Sequence, residues 1–420
     1  MTGGSAAGEG PTRRFMRKRE AVLDAAALLF NQRGIRNVTL ADVARRVGLS
    51  TSSVTYYYKR KDDLALACMG RSVEVFEELL AVAEQAGGPE QKITSFVTGF
   101  FQRLAGIARG ERPDFVTFSD VSTLVDGRTD VGDRHTQAFR RVRDLLDGAC
   151  PAPLTHAERN ARAHLLFTLT QWTRYWIDRH EVTGYPRAAR RAADILLRGL
   201  CGAGAAWDPP PVAALAAAPA PDDVSPDAFL RAATRLINEE GARFATVERI
   251  SSELKVTRGS FYHHNDNIDD LVVACFERSF DVIRRAQQLA EVYPAGWEKL
   301  AAATAALVRF QLSADGPLLR MTARSRLPAP AADHIWRTMH QLSEHFAGVI
   351  ADGVIDGSIR PVDPAIAAQM VSGMINASAS ARRWVPEASP ANVVDLYARP
   401  LLMGILCPSA FGGHGGARRG

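Results

Sequence analysis

The chain is poor in cysteine, and what it has forms no pattern. Five cysteines are scattered over 420 residues and none stands in a C-x-x-C pair, so a zinc site is not expected. The odd, dispersed set reads as small buried thiols in a reducing compartment. No run approaches the ~18 consecutive apolar residues of a membrane span. Residues 1–12 are Gly/Ala/Ser-rich and lack the apolar stretch of a signal peptide. A cytoplasmic protein with no membrane partner is expected. Val/Ile/Thr alternation of strand type is almost missing, which points to an all-α chain. Also missing are H-E-x-x-H, G-x-S-x-G, a P-loop and a G-x-G-x-x-G on a strand. The histidines do not compensate: His340 and His345 are five apart and do not share a helix face cleanly. No enzyme activity, metal or cofactor is expected.

What the chain does have is a copy of itself. Residues 34–64 read GIRNVTLADVARRVGLSTSSVTYYYKRKDDL, and residues 241–271 read GARFATVERISSELKVTRGSFYHHNDNIDDL. At an offset of 207 without a gap, Gly34 pairs with Gly241, Thr39 with Thr246, Ser53 with Ser260, Leu64 with Leu271 and Cys68 with Cys275. That spacing is too long for a solenoid unit and right for a whole domain. Between the copies, residues 202–224 (GAGAAWDPPPVAALAAAPAPDDV) cannot hold a long helix and read as an interdomain linker. The expected organisation is a disordered start (1–12), a first repeat-bearing domain (13–65) and a helical domain (66–201). After the linker come the second repeat-bearing domain (225–272), a second helical domain (273–407) and a disordered tail (408–420).

Each copy has the local chemistry of a helix-turn-helix. Thr39 with Asp42 three residues on is a capping box with Asp in place of the usual Glu or Gln. Leu40, Val43, Ala44 and Val47 make a short apolar face, and Gly48 permits a tight turn. Ser50 then caps a second helix at roughly Thr51–Tyr57. That helix exposes Thr51, Ser52, Ser53, Thr55, Tyr56 and Tyr57, with Val54 turned inward as an anchor. Small hydroxyls allow close approach to a groove, and Lys61 follows as a phosphate contact. The basic stretch Arg13–Arg19, including Arg17 and Lys18, is expected to act as an arm reaching a minor groove.

These residues resemble the TetR family of bacterial transcription regulators. In the first copy the resemblance rests on Gly34, Thr39, Val43-Ala44, Gly48-Leu49-Ser50, the tyrosine cluster and Lys61-Asp62-Asp63-Leu64. In the second it rests on Gly241, Thr246, Ile250-Ser251, Val256, Thr257, Arg258, Gly259, Ser260, Phe261, Tyr262, His263, His264 and Leu271. Thr55 stands where the family usually has Tyr, Asn265 replaces an aromatic, and Ile268 replaces the Lys. The resemblance implies two TetR-like units, each a three-helix DNA-binding domain followed by a helical ligand-binding and dimerisation domain. It implies a double-stranded DNA operator as partner, with Thr246, Thr257, Arg258, Gly259, Ser260, Tyr262, His263 and His264 serving in the second copy. It also implies a small apolar effector; aromatic and sulfur candidates for its pocket are Phe100, Phe118, Trp172, Trp176, Trp336, Met370 and Met374. The last two helices of each half, about 158–180 with 186–201 and about 364–384 with 390–406, are expected to pack as a four-helix bundle. The fused halves would then form a pseudo-dimer within one chain, and further homodimerisation stays open.

The copies differ in charge. Residues 13–64 carry twelve cations against five carboxylates, a balance of +7, and residues 225–271 carry six against eight, a balance of −2. Phosphate neutralisation supplies most non-specific DNA affinity, so the first copy is expected to hold DNA more strongly. The competing reading is a helical protein-interaction scaffold whose helix-turn-helices no longer meet DNA.

Overall fold

The computed structural model describes residues 13–35, 37–117, 130–215, 226–240, 246–253 and 267–407. The expectations of disorder at 1–12 and 408–420 fall outside these residues. Among the described residues there is no strand, only one isolated bridge between Cys201 and Ile359, so the all-α expectation holds. The first half runs α1 (Arg13–Arg33), α2 (Leu40–Arg46), α3 (Thr51–Tyr57), α4 (Lys61–Ala83), α5 (Pro89–Ala108), α6 (Asp130–Asp144), α7 (His156–Trp172) and α8 (Tyr185–Arg198). The second half follows with α9 (Pro226–Glu240), α10 (Val247–Glu253), α11 (Ile268–Ala290), α12 (Gly296–Gln311), α13 (Ala329–Asp356), α14 (Pro364–Ser378) and the short α15 (Ala381–Trp384). A π-helical turn (Val394–Ala398) then leads into α16 (Arg399–Leu402).

The chain forms two compact units: Met1–Val75 with Arg112–Arg134, and Phe76–Glu111 with His135–Gly420. In the first unit, Val22, Leu29, Phe30, Val43, Val54 and Leu64 make one apolar core around which α1, α2 and α3 close. Arg71 ties α1 down by pairing with Glu20 at 2.7 Å and Asp24 at 2.5 Å.

The second unit holds the first half's regulatory helices together with the second half. Helix α14 is buried nearly all round, including Ile366, Met370, Val371 and Met374, as a helix apolar on every face must be. It lies so close to α7 that a Cβ on Gly373 would come within 2.8 Å of Leu169 and Trp172. At the far ends of the halves the backbones touch: Leu200 N–H donates to Leu402 O at 2.7 Å, and Ile405 N–H to Leu196 O at 2.8 Å. Arg360 reaches back to Asp194 at 2.7 Å and donates to Gly199 O at 2.7 Å. His164 and Tyr397, both buried, meet through Nδ1 and the phenol oxygen at 2.7 Å, and the Trp384 ring stacks on the imidazole at 5.3 Å.

This buried imidazole makes the fold acid-sensitive. Burial, with the Arg320 and Arg383 charges adding to it, pushes His164 down from 6.5 to about 3. Between those values the unfolded chain binds the proton and the folded chain does not. Stability is therefore whole above about 6.5 and falls as pH drops through that window, by about 1.4 kcal/mol per pH unit for one such group. Urea melts at a series of pH values are expected to show this loss, and His164→Gln to flatten part of it. An unchanged slope in the variant would contradict the assignment.

One sequence expectation changes here. Cys150 and Cys407, 257 residues apart in sequence, form a disulfide with Cα atoms 4.9 Å apart; chain folding creates that proximity, which spacing could not show. Cys68 and Cys275 do fit buried thiols, each pushed up to about 12 by burial. The described part of the linker is fastened to the second half. Trp207 donates to Asp395 at 2.9 Å, Trp297 to Ala206 O at 3.1 Å and Arg285 to Ala214 O at 3.2 Å.

Candidate nucleic-acid interface

The first helix-turn-helix is built as its sequence directs. Asp42 N–H donates to Thr39 Oγ1 at 3.1 Å, while Thr39 N–H and Oγ1–H donate to the Asp42 carboxylate at 2.9 and 2.6 Å. Both halves of the capping box are thus made, and the bonds from Thr39 hold the Asp42 carboxyl below its usual range. Gly48 turns the chain at φ +66°, in the left-handed region where glycine carries no Cβ penalty. Ser50 Oγ then accepts from Ser53 N–H at 3.2 Å and caps α3.

Val54 seats α3 on the core and leaves its other face outward. Thr51 and Ser52 are exposed and Tyr56 is 74% exposed. Ser53 is drawn toward the cap, its hydroxyl 2.7 Å from that of Ser50, and Thr55 Oγ1 donates to Ser52 O at 3.0 Å. The outward face is thus carried chiefly by Thr51, Ser52 and Tyr56. Tyr57 is half-buried against Phe15, ring centroids 4.9 Å apart, and Phe15 meets Tyr56 at 5.9 Å. Tyr58 turns inward and is buried, with the Arg19 guanidinium 5.7 Å from its ring centre.

The basic N-terminal stretch departs from expectation. Arg17 and Lys18 lie inside α1 and form no extended arm; the run from Arg13 is rich in strong helix formers and continues into the apolar stripe without a breaker. Arg17 is exposed and Lys18 half-buried. Lys59 is exposed, Arg60 pairs with Asp62 at 3.2 Å, and Lys61 opens α4 half-buried. Phe15 escaped the sequence reading, although an aromatic within a run of cations was its visible signal.

In the second copy Thr246 precedes α10, and its Oγ1 accepts from Arg249 N–H at 3.3 Å, the counterpart of the Thr39 cap. Thr257, Arg258, Gly259, Ser260, Tyr262, His263 and His264 lie outside the described residues. So does Phe118.

Of the other pocket candidates, Phe100, Trp172, Trp176, Met370 and Met374 are buried in packed core. Trp336 is half-buried under the Arg324 guanidinium, 4.9 Å from its ring centre. None of the six lines any of three cavities found among the described residues of the second unit. The first of these, about 400 Å³, runs between α5 and α8 past Phe101 and Tyr185. The second, about 800 Å³, is ringed by arginines. The third is a slot of about 30 Å³ beside Phe280, Ile283 and Met339.

Residues 22–68 and 229–275 both match the N-terminal domain of the bacterial regulatory proteins of the tetR family. The chain belongs to the TetR family, and it carries two copies of the family's DNA-binding domain. Residues 294–404 match a tetracyclin repressor-like C-terminal domain, so the second TetR-type half is recognised through both of its parts. Among curated relatives, the HTH-type transcriptional regulator BetI of Brucella suis biovar 1 is 35% identical over 83 residues, 20% of this chain and 41% of BetI. BetI of Agrobacterium fabrum is 32% identical over 87 residues, 20% of this chain and 42% of that protein. The chain thus spans about two-fifths of the length of the curated relatives it matches. Among solved structures, AibR bound to isovaleryl coenzyme A and operator DNA aligns with TM-score 0.37 at 19% identity, over 42% of this chain and 96% of AibR. A TetR/AcrR-family regulator from Thermobifida fusca aligns with TM-score 0.32 at 21% identity, over 42% of this chain and 96% of that one.

Proposed function

We propose that this TetR-family chain is a sequence-specific DNA-binding regulator, a ligand-responsive repressor whose fused halves act as an intramolecular pseudo-dimer. The observation that carries the reading is α3: capped by Ser50, anchored by Val54 and presenting Thr51, Ser52 and Tyr56 outward. A short helix of that build enters a major groove by its first turn. The +7 balance of residues 13–64 supplies the phosphate attraction. The pseudo-dimer is supported by α14 against α7 and by the paired backbone bonds at Leu196, Leu200, Leu402 and Ile405. Fusion of that kind makes pairing independent of concentration. A ligand would act by favouring a state whose two helix-turn-helices are misplaced for one operator.

Titration of labelled duplex DNA at two salt concentrations tests the DNA part. Six or so phosphate contacts predict a fall in affinity of roughly a thousandfold between about 50 and 200 mM salt. Affinity that is absent at low salt, or flat with salt, would favour the scaffold reading.

A further inference from the structure

Residues 404–407 of the second half run along the first half as a short strap. Ile405 N–H donates to Leu196 O at 2.8 Å and Cys407 N–H to Ala149 O at 3.1 Å, and the Cys150–Cys407 disulfide ties the strap covalently. Arg162 of α7 is packed against it and only 8% exposed. Its Nε donates to Ile405 O at 3.2 Å, while its Nη1 is buried without a hydrogen-bond partner among the described residues. The Glu158 carboxylate attracts Arg162 but takes its bonds from Thr155, at 2.9 and 2.8 Å. Burial outweighs that attraction and holds the guanidinium below its ordinary value. A buried charge with an unmade hydrogen bond is costly, so the closed strap holds Arg162 in an environment it would leave if released.

The five cysteines fall into two groups. Cys68 and Cys275 are buried thiols, and burial also holds the Cys201 thiol above its ordinary value. Thiols so raised carry little of the reactive thiolate. Cys150 and Cys407 are instead half-buried, within reach of small thiols and peroxides. A chain that works on DNA works where thiols are kept reduced, and disulfides there are as a rule transient. Exposed disulfides are the labile, regulatory kind. We propose that Cys150 and Cys407 are a reversible oxidation site for a hydroperoxide, and that their bond clamps the strap onto the first half. One thiolate takes an oxygen from ROOH and becomes a sulfenic acid as ROH leaves. The other thiolate attacks that sulfur, forms the S–S bond and releases the oxygen as water. Two thiols and ROOH thus give the disulfide, ROH and water. Two molecules of a low-molecular-weight thiol reverse the step and leave as their own disulfide. In the oxidised chain the strap is closed across the seam of the halves. In the reduced chain hydrogen bonds alone hold it, and Arg162 regains water when it lifts. The redox chemistry rests on the cysteines; its consequence for DNA, a change in how firmly the halves pair, rests on the proposed pseudo-dimer.

The test treats the full chain, without DNA, with excess glutathione and then, once the thiol is removed, with hydrogen peroxide. Alkylation in denaturant followed by intact mass counts the free thiols, which should be all five cysteines after glutathione and Cys68, Cys201 and Cys275 after peroxide. The reduced chain is expected to exchange the Ile405 and Cys407 amide hydrogens at least about tenfold faster and to melt about 5 °C lower or more. Arg162 is expected to react with phenylglyoxal in the reduced chain and to be protected in the oxidised one, as peptide mapping reads. Cys150→Ser should behave as the reduced chain under both treatments. A bond that glutathione leaves intact would make the pair a permanent staple and overturn the proposal. So would a pair that peroxide does not rejoin, or exchange and Arg162 labelling that are equal in the two states. Because no step uses DNA, failure here would leave the DNA reading standing, and the reverse.

Discussion

Gly199→Ala is expected to lower the melting temperature by about 6 °C or more. The position has φ 67° and ψ −158°, a backbone region essentially reserved for glycine, where another residue costs about 1–3 kcal/mol. A Cβ there would also lie 2.4 Å from Leu402 O and 2.5 Å from Gly404 N. Those atoms are backbone and cannot swing aside, so overpacking adds about 1–3 kcal/mol more. For a chain of this size, about 3 kcal/mol corresponds to roughly 6 °C at about 2 °C per kcal/mol. Gly404, its counterpart across the contact, is equally crowded, with a would-be Cβ 2.5 Å from Leu197 O. Gly110→Ala is the control: φ is 71° but nothing lies within 4 Å of an added Cβ. It should carry the backbone cost alone. If the two substitutions melt alike, the close approach of the halves at Gly199 is not what holds them.

The second large effect concerns DNA selectivity. Replacing Thr51, Ser52 and Tyr56 by alanine is expected to weaken binding to the preferred site by about a hundredfold or more, at about 1–3 kcal/mol per lost base contact. Stability should change little, because all three side chains are exposed while Val54 stays in place. The copies carry different residues at the equivalent positions: Thr51 and Arg258, Ser52 and Gly259, Thr55 and Tyr262, Tyr56 and His263, Tyr57 and His264. A chain using both copies therefore reads two unlike half-sites. The alanine variant should lose preference in one half-site and keep it in the other.

Local signals made much of this legible in the sequence. Thr39 with Asp42, Gly48 and Ser50 placed α2, the turn and α3 because capping and turn chemistry act over three or four residues. The last helix of the second half, expected from about 390, is less regular than expected. There the backbone forms a π-helical turn at Val394–Ala398 just before Pro400, which has no N–H to continue a regular helix. The 364–384 helix likewise ends at Ser378 and restarts as α15. Individual contacts between residues distant in sequence were not legible. The Cys150–Cys407 bond joins residues 257 apart, and the arginine cavity gathers side chains from 235 to 383. The packed aromatic set showed the converse: Trp172 and Trp176, four apart, are both buried although α7 ends at Trp172 and a 3-10 turn separates them, and spacing alone cannot tell a core from a ligand wall.

The central claim is that one chain reads DNA with two unlike helix-turn-helices. Selection of bound duplexes from a random pool, followed by sequencing, tests it most directly. The account predicts an enriched site with two different half-elements, spaced by about one helical turn or a multiple. An enriched perfect palindrome would contradict it, because that outcome requires two chains docking their first copies alone.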